Sequence, residues 1–317
     1  MAYTNSQVMM TLAAITYAPA KNIGSYLLPT TNPSNATNGD WALVWGPAVT
    51  AIDEGNLMFV TYNKSTNQYA IAVRGTYPDF SLALLVDLYE DLDVSHPLPW
   101  QYPTVPGALV AGGTIDGLND LIRFTSNGVA FHSFVDSQMA PSGADVFVTG
   151  HSLGGALTTV LAPWLVYRLS QDNAKNAVMP YTFAGPTAGN AAFASFYTGL
   201  FKNSCRYYNT IDIVPKAWAD LSSIKSLYSS PGPACTWEVK DTIDLVSDWL
   251  NVIKVSYTQP NGAGESLPGV PAYTSDFFAE ALDQHDHNYY LKLLGAPTVP
   301  IAAPRTLAKS KKKLRNV

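Results

Sequence analysis

The 317-residue chain is 47% hydrophobic and only 14% charged, which excludes a disordered or coiled-coil protein and leaves room for one large α/β domain or two small ones. Its net charge of −5 conceals an asymmetry: Arg305, Lys309, Lys311, Lys312, Lys313 and Arg315 close the chain with no acid among them. The other 13 bases face 24 acids, and a body of about −11 argues against nucleic acid as a partner.

No apolar run is long enough to span a bilayer. Residues 8–20 are apolar and end in Ala18-Pro19-Ala20, but a basic leader is missing and Tyr3 to Gln7 is polar, so the stretch reads as a first helix and no signal peptide is visible. After a loop over 28–40, strands are predicted at 41–45, 56–62 and 68–73, the last ending in Arg74-Gly75-Thr76-Tyr77-Pro78 with Thr76 at its carboxyl edge. Residues 80–92 are apolar around most of a helix, with Asp87, Glu90 and Asp91 on the remaining face, and a second helix is predicted over 115–139.

The chain is organised around Gly150-His151-Ser152-Leu153-Gly154-Gly155. Asp145-Val146-Phe147-Val148-Thr149 before it is a short buried strand, and Ala156 to Leu161 opens a helix. A strand, a sharp turn carrying serine and a helix make a nucleophile elbow, whose glycines are needed because a Cβ would clash where strand and helix close. Further strands are predicted at 181–183 and 206–209. Strands alternating with helices imply a mostly parallel central sheet flanked by helices. From 221 to 276 the alternation lapses around one amphipathic helix carrying Val239, Ile243, Val246, Leu250 and Ile253 on one face, and this stretch reads as an insertion or cap. A final helix over 277–294 stops at Gly295. The expected organisation is a single domain over 1–295 with a cap at 221–276, then a Pro-rich, basic and flexible tail over 296–317. Cys205 and Cys235 do not define a redox compartment; a disulfide across the long loop is the expectation, buried thiols the alternative.

A serine needs a base, and the base needs a carboxylate to orient it. Of the five histidines, His151 is the elbow's second residue and should point away from the base position, His132 lies in a predicted helix, and His96 sits in a loop before Pro97. A Ser, acid, His chain order leaves His285 and His287 as bases and makes Asp212, directly after a strand, the prime carboxylate. Asp241, Asp244 and Asp248 fall on the solvated face of a helix. The oxyanion requires two donors: the elbow supplies the N–H of Leu153, and Thr76 is well placed for the other.

At these residues the sequence resembles the class 3, or fungal-type, lipases of the α/β-hydrolase superfamily. Arg74-Gly75-Thr76 looks like that family's oxyanion loop, and Gly150 to Gly155 looks like its elbow. Thr182-Phe183-Ala184-Gly185-Pro186-Thr187-Ala188-Gly189-Asn190 resembles the strand and turn that follow, and Asn209 to Pro215 the Asp-x-Val-Pro block, which puts the family's aspartate on Asp212. Leu109-Val110-Ala111-Gly112-Gly113-Thr114 departs from a common Val-His-x-Gly-Phe block, whose histidine has no triad role. In Gln284-His285-Asp286-His287-Asn288-Tyr289-Tyr290-Leu291, His287 with Tyr290 fits a fungal His-x-x-Tyr pattern. His285 with Tyr290-Leu291 fits the plant and bacterial spacing, which Lys292-Leu293-Leu294-Gly295 continues, and His285 is taken as the base.

The resemblance implies an α/β-hydrolase fold and hydrolysis of carboxylic esters through Ser152, His285 and Asp212, without metal or organic cofactor. A triacylglycerol lipase or esterase is the leading expectation. A phospholipase A1, an aryl or feruloyl esterase, and a non-catalytic lipid-binding protein are its rivals. In this family the segment after the oxyanion residue is a lid, which would fall at 77–95, and the apolar face of 80–92 suits a closed lid or one open to a lipid interface, with a plain buried helix as the alternative. Trp237 and Trp249 are candidates to line an acyl pocket. The resemblance favours a secreted protein, with a cytoplasmic one as the alternative; oligomeric state has no legible motif.

Overall fold

The computed structural model describes residues 2–30, 34–50, 55–75, 92–202, 204–228, 232–260, 263–274 and 276–301. Thr76, nearly all of the predicted helix over 80–92, and the basic end of the tail lie outside the described residues.

Seven strands form one sheet in chain order: β1 (Ala42–Val49), β2 (Leu57–Asn63), β3 (Gln68–Val73), β4 (Asp145–His151), β5 (Val178–Phe183), β6 (Cys205–Asn209) and β7 (Ala263–Leu267). β1 to β3 form an antiparallel meander, and β3 to β7 run parallel. Side chains alternate along β2, β3 and β4 between two cores. Met58, Val60, Ile71, Val73, Val146 and Val148 pack on one face, Leu57, Phe59, Ala70, Ala72 and Phe147 on the other. Burial on both sides is why these strands are continuous apolar runs.

The first face is covered by α2 (Gly112–Arg123), α3 (Leu153–Gln171) and α4 (Ala191–Leu200), through residues such as Leu118, Leu157 and Phe193. The second is covered by α1 (Asn5–Ile15) and α7 (His287–Leu293). A capping box between Thr4 and Gln7 starts α1 earlier than its apolar run suggests. A third cluster joins Leu92, Val94, Ile213, Val214 and Trp218 to α5 (Trp237–Val252) and to Phe277 of α6 (Phe277–His285). It forms a separate apolar layer around the turn that carries Asp212.

Several predicted elements differ. The long helix over 115–139 ends at Arg123, because Asn127 and Gly128 take φ of 49° and 78° and turn a hairpin between Thr125–Ser126 and Val129–Ala130. Both residue types tolerate that left-handed turn. The stretch expected to be an insertion returns to the sheet: β7 pairs with β6 as its edge strand. The final helix is two helices, broken at Asp286, whose φ of −59° and ψ of 132° are not helical. No disulfide joins Cys205 and Cys235. The first lies on β6 against the α1 face and the second in the cluster around α5, so they belong to different cores. The start of the expected flexible tail is packed, with Val299 buried and its N–H donated to Asn288 Oδ1 at 2.7 Å.

Candidate active site

β4 delivers the chain to the elbow at its carboxyl end. Ser152 holds φ of 60° and ψ of −131°, a strained conformation for a residue with a Cβ, which costs about 1–3 kcal/mol. Its N–H donates to Phe183 O at 3.0 Å and its carbonyl accepts from Gly155 and Ala156, so both sides of the strained residue are pinned. A Cβ on Gly150 would lie 2.2 Å from Gly154 O, and one on Gly154 would lie 2.4 Å from Val73 O. Only glycine admits this crossing of β3, β4 and α3. Leu153 opens α3, so its N–H is one of the first-turn donors with no partner within the helix. The end of β3 approaches closely: a Cβ on Gly75 would sit 3.1 Å from Ser152 Cβ and 2.5 Å from His151 O. Buried Arg74 anchors that strand end by donating Nε to Gly55 O at 3.1 Å. Thr76, the next residue, lies outside the described residues.

Ser152, His285 and Asp212 meet although they come from three distant stretches. His285 Nε2 is 2.8 Å from Ser152 Oγ, and its Nδ1 is 2.7 Å from Asp212 Oδ2. A carboxylate only accepts, so Nδ1 carries the proton and Nε2 is left to accept from the serine hydroxyl. All three side chains are buried. His285 is delivered at the last residue of α6, and the break at Asp286 separates it from α7. Asp212 sits in the turn after β6, its Oδ1 accepting from Val214 N–H at 2.9 Å and its Oδ2 from Tyr290 OH at 2.8 Å. The carboxylate is thus satisfied on both oxygens without water, which keeps a buried charge tolerable.

His287 is not brought to the serine. Its ring stacks on Tyr17 at 5.0 Å, with Asp286 and Asn288 beside its nitrogens. His151 does not point away as expected. Its ring lies 4.7 Å from that of His285, with Nδ1 2.9 Å from Tyr17 OH. Burial, reinforced by the neighbouring His285 and His287, holds the His151 imidazole well below the usual histidine range. Burial likewise lowers His287, against the pull of Asp286. The ring behind the base is therefore a neutral packing surface, and His285 has no charged histidine competing beside it at neutral pH.

Asp241, Asp244 and Asp248 are exposed on α5, far in role from the buried Asp212. Trp237 and Trp249 are 70% and 50% exposed and share the outer face of α5 with Leu245 and Val252. Sequence reasoning missed Tyr17, Asn209 and Gln284. Tyr17 carries no motif, since only the packing of α1 against β4 brings it under the elbow. Asn209 and Gln284 were visible only as neighbours of the acid and the base.

The family model described as Lipase (class 3) matches residues 92–221, a span that contains Ser152 and Asp212 but not His285 or Thr76. The chain is 32% identical over 139 residues to lipase ZK262.3 of Caenorhabditis elegans, covering 44% of this chain and 30% of that protein. It is 31% identical over 118 residues to a lipase of Rhizomucor miehei, covering 37% of this chain and 31% of that one. The chain thus spans about a third of the length of the curated relatives it matches. Among solved structures, M37 lipase superimposes with a TM-score of 0.81 at 29% identity, over 92% of this chain and 93% of that one. The α/β-hydrolase fold is common to both.

Proposed function

We propose that this chain, which carries class 3 lipase sequence over residues 92–221, is a serine hydrolase of carboxylic esters, with lipid esters of the triacylglycerol type as substrates. The observation that carries this reading is the unbroken Ser152–His285–Asp212 line at 2.8 and 2.7 Å. In it, Ser152 Oγ attacks the ester carbonyl as His285 Nε2 takes the hydroxyl proton, and Asp212 stabilises the imidazolium. The tetrahedral oxyanion is held by the N–H of Leu153 and by Thr76. His285 then gives its proton to the departing alcohol, and water, activated by the same histidine, hydrolyses the acyl-enzyme.

A lipid interface as a transient partner is supported by Trp237, Leu245, Trp249 and Val252, whose exposure on one helix suits a surface that accepts amphipathic aromatic rings. Among the described residues no helix is long and apolar enough to cross a membrane.

The test is labelling with a fluorophosphonate and hydrolysis of a p-nitrophenyl ester series from acetate to palmitate, with and without emulsified triglyceride. Wild-type protein should be labelled at Ser152 and hydrolyse the esters, and Ser152→Ala should do neither while keeping its melting temperature. An unlabelled wild type makes the chain a lipid-binding protein. Preference for a phospholipid sn-1 ester or an aromatic ester over acylglycerols replaces the substrate assignment.

A further inference from the structure

A set of buried polar side chains behind the triad takes no part in the proton transfers. Glu280 lies on α6 five residues before His285 and is fully buried. Its Oε1 accepts from Ala272 N–H at 2.8 Å and Gln284 Nε2 at 2.9 Å. Its Oε2 accepts from the Thr274 N–H at 3.1 Å and hydroxyl at 3.2 Å. Burial alone would raise this carboxyl, but the N–H groups of Ala272 and Thr274, with Gln284 and the Thr274 hydroxyl, bring it below the usual range.

The bonds have a fixed direction because a carboxylate cannot donate. Gln284 must turn its NH2 toward Glu280, where it also donates to Val270 O at 2.9 Å. Its Oε1 is then left to accept from Asn209 Nδ2 at 2.8 Å, and the same amide donates to Gln284 O at 2.8 Å. Asn209 Oδ1 consequently faces the N–H of Ile211 at 3.1 Å and closes the turn in which Asp212 follows. The Asn209 backbone N–H donates separately to Tyr290 OH at 2.9 Å, and the Tyr290 hydroxyl donates to Asp212 Oδ2, a link whose sense the backbone N–H fixes by itself. A separate observation shows how tightly the asparagine is held: a Cβ on Gly269 would come 2.0 Å from Asn209 Oδ1. Turning the chain around would set the amide of Gln284 against the amide of Asn209, or that of Asn209 against the Ile211 N–H, and leave facing donors buried.

We infer that Glu280 is a positioning residue for the catalytic carboxylate: together with Val270 O it holds the Gln284 amide, and through it the Asn209 side chain that closes the turn presenting Asp212 to His285. The inference rests on the proposed ester hydrolysis, and its effect is on orientation at the reacting centre rather than on substrate binding.

The test compares Glu280→Gln, Gln284→Met, their double variant and Thr274→Val, using steady-state hydrolysis of p-nitrophenyl butyrate alongside thermal melting. Glu280→Gln would bring an NH2 group among donors and take from Gln284 its charged acceptor, leaving Val270 O alone to hold the Nε2 group. If folded, this variant is expected to lose about ten- to a hundredfold in kcat with KM within about twofold, the size of effect a misplaced catalytic group produces. Gln284→Met should behave alike, and the double variant should lose no more than the worse single one, because both cut the same chain. Thr274→Val removes one donor without touching the chain's sense and should keep kcat within about twofold. Wild-type kcat in folded Glu280→Gln, or losses that multiply in the double variant, overturns the inference. Should Glu280→Gln fail to fold, Gln284→Met decides alone by the same split of kcat from KM. Loss of fluorophosphonate labelling in the wild type would instead sink the proposed function.

Discussion

Replacing Tyr290 by Phe removes one hydroxyl that stands between two buried groups. The ring stays, so its packing beside His151 at 5.3 Å is kept. Two bonds go: the one donated to Asp212 Oδ2 at 2.8 Å and the one accepted from Asn209 N–H at 2.9 Å. A hydrogen bond to a charged group contributes about 1.5–3 kcal/mol, and an orphaned buried N–H costs about 1–3 kcal/mol. Because the two effects share one atom they overlap, and a net loss of about 2–5 kcal/mol is expected. With an unfolding entropy of about 2.1 cal/mol/K per residue over 317 residues, that loss lowers the melting temperature by about 3–7 °C. Asp212 keeps the bonds from His285 Nδ1 and Val214 N–H, so the triad stays assembled and kcat should fall by less than about tenfold. Calorimetry and p-nitrophenyl butyrate hydrolysis on the same preparation measure both. A melting temperature within about 1 °C of wild type would refute the reasoning, since the hydroxyl would then be carrying neither bond.

Two further outcomes follow from the histidines. His285→Ala should reduce kcat by about four orders of magnitude or more, whereas His287→Ala should leave it within about threefold and lower stability by about 1 kcal/mol through loss of the Tyr17 stack; the reverse ranking in parallel assays would move the base to His287. Stability against urea should fall as pH drops below about 6.5, by up to about 1.4 kcal/mol per pH unit for each of His151 and His287. Both are held below their ordinary range when folded, so the unfolded chain takes up protons that the native state refuses, and the stabilisation is complete only above that pH. Stability that is flat between pH 7 and 5 would show that neither ring is kept neutral by the fold.

The elbow was legible because its chemistry is local. Gly150, Ser152 and Gly154 lie within five residues, and the clash that demands glycine at Gly150 arises inside that stretch, against Gly154 O, although the one at Gly154 is with Val73 O of β3. The parallel sheet was legible for a related reason, since strands covered on both faces are apolar without interruption. Asp212 followed from its place after β6, and the order of serine, acid and histidine narrowed the base to two residues. The hairpin at Asn127-Gly128 was also written in the chain, but the apolar spacing around it suggested a continuous helix and masked the turn.

Other features depend on contacts between distant segments. Which histidine meets Ser152 depends on a helix break at Asp286, which leaves His285 at the end of α6 and turns His287 onto Tyr17. Residues 263–267 were read as part of a cap, because a five-residue edge strand such as β7 has little pattern of its own and exists by pairing with β6. The place of Trp237 and Trp249 on the outward stripe of α5 depends on packing too, since a helix with apolar residues on two faces does not announce which one is buried. The chain from Glu280 through Gln284 and Asn209 joins residues over 70 positions apart, and its direction follows from a carboxylate's inability to donate once packing has closed them off from water. The sequence by itself determined the candidate serine, the candidate carboxylate and the sheet, because those depend on spacing and apolar runs. Only the tertiary structure decided which histidine meets that serine and what orients Asp212, because those depend on which buried donors meet which acceptors.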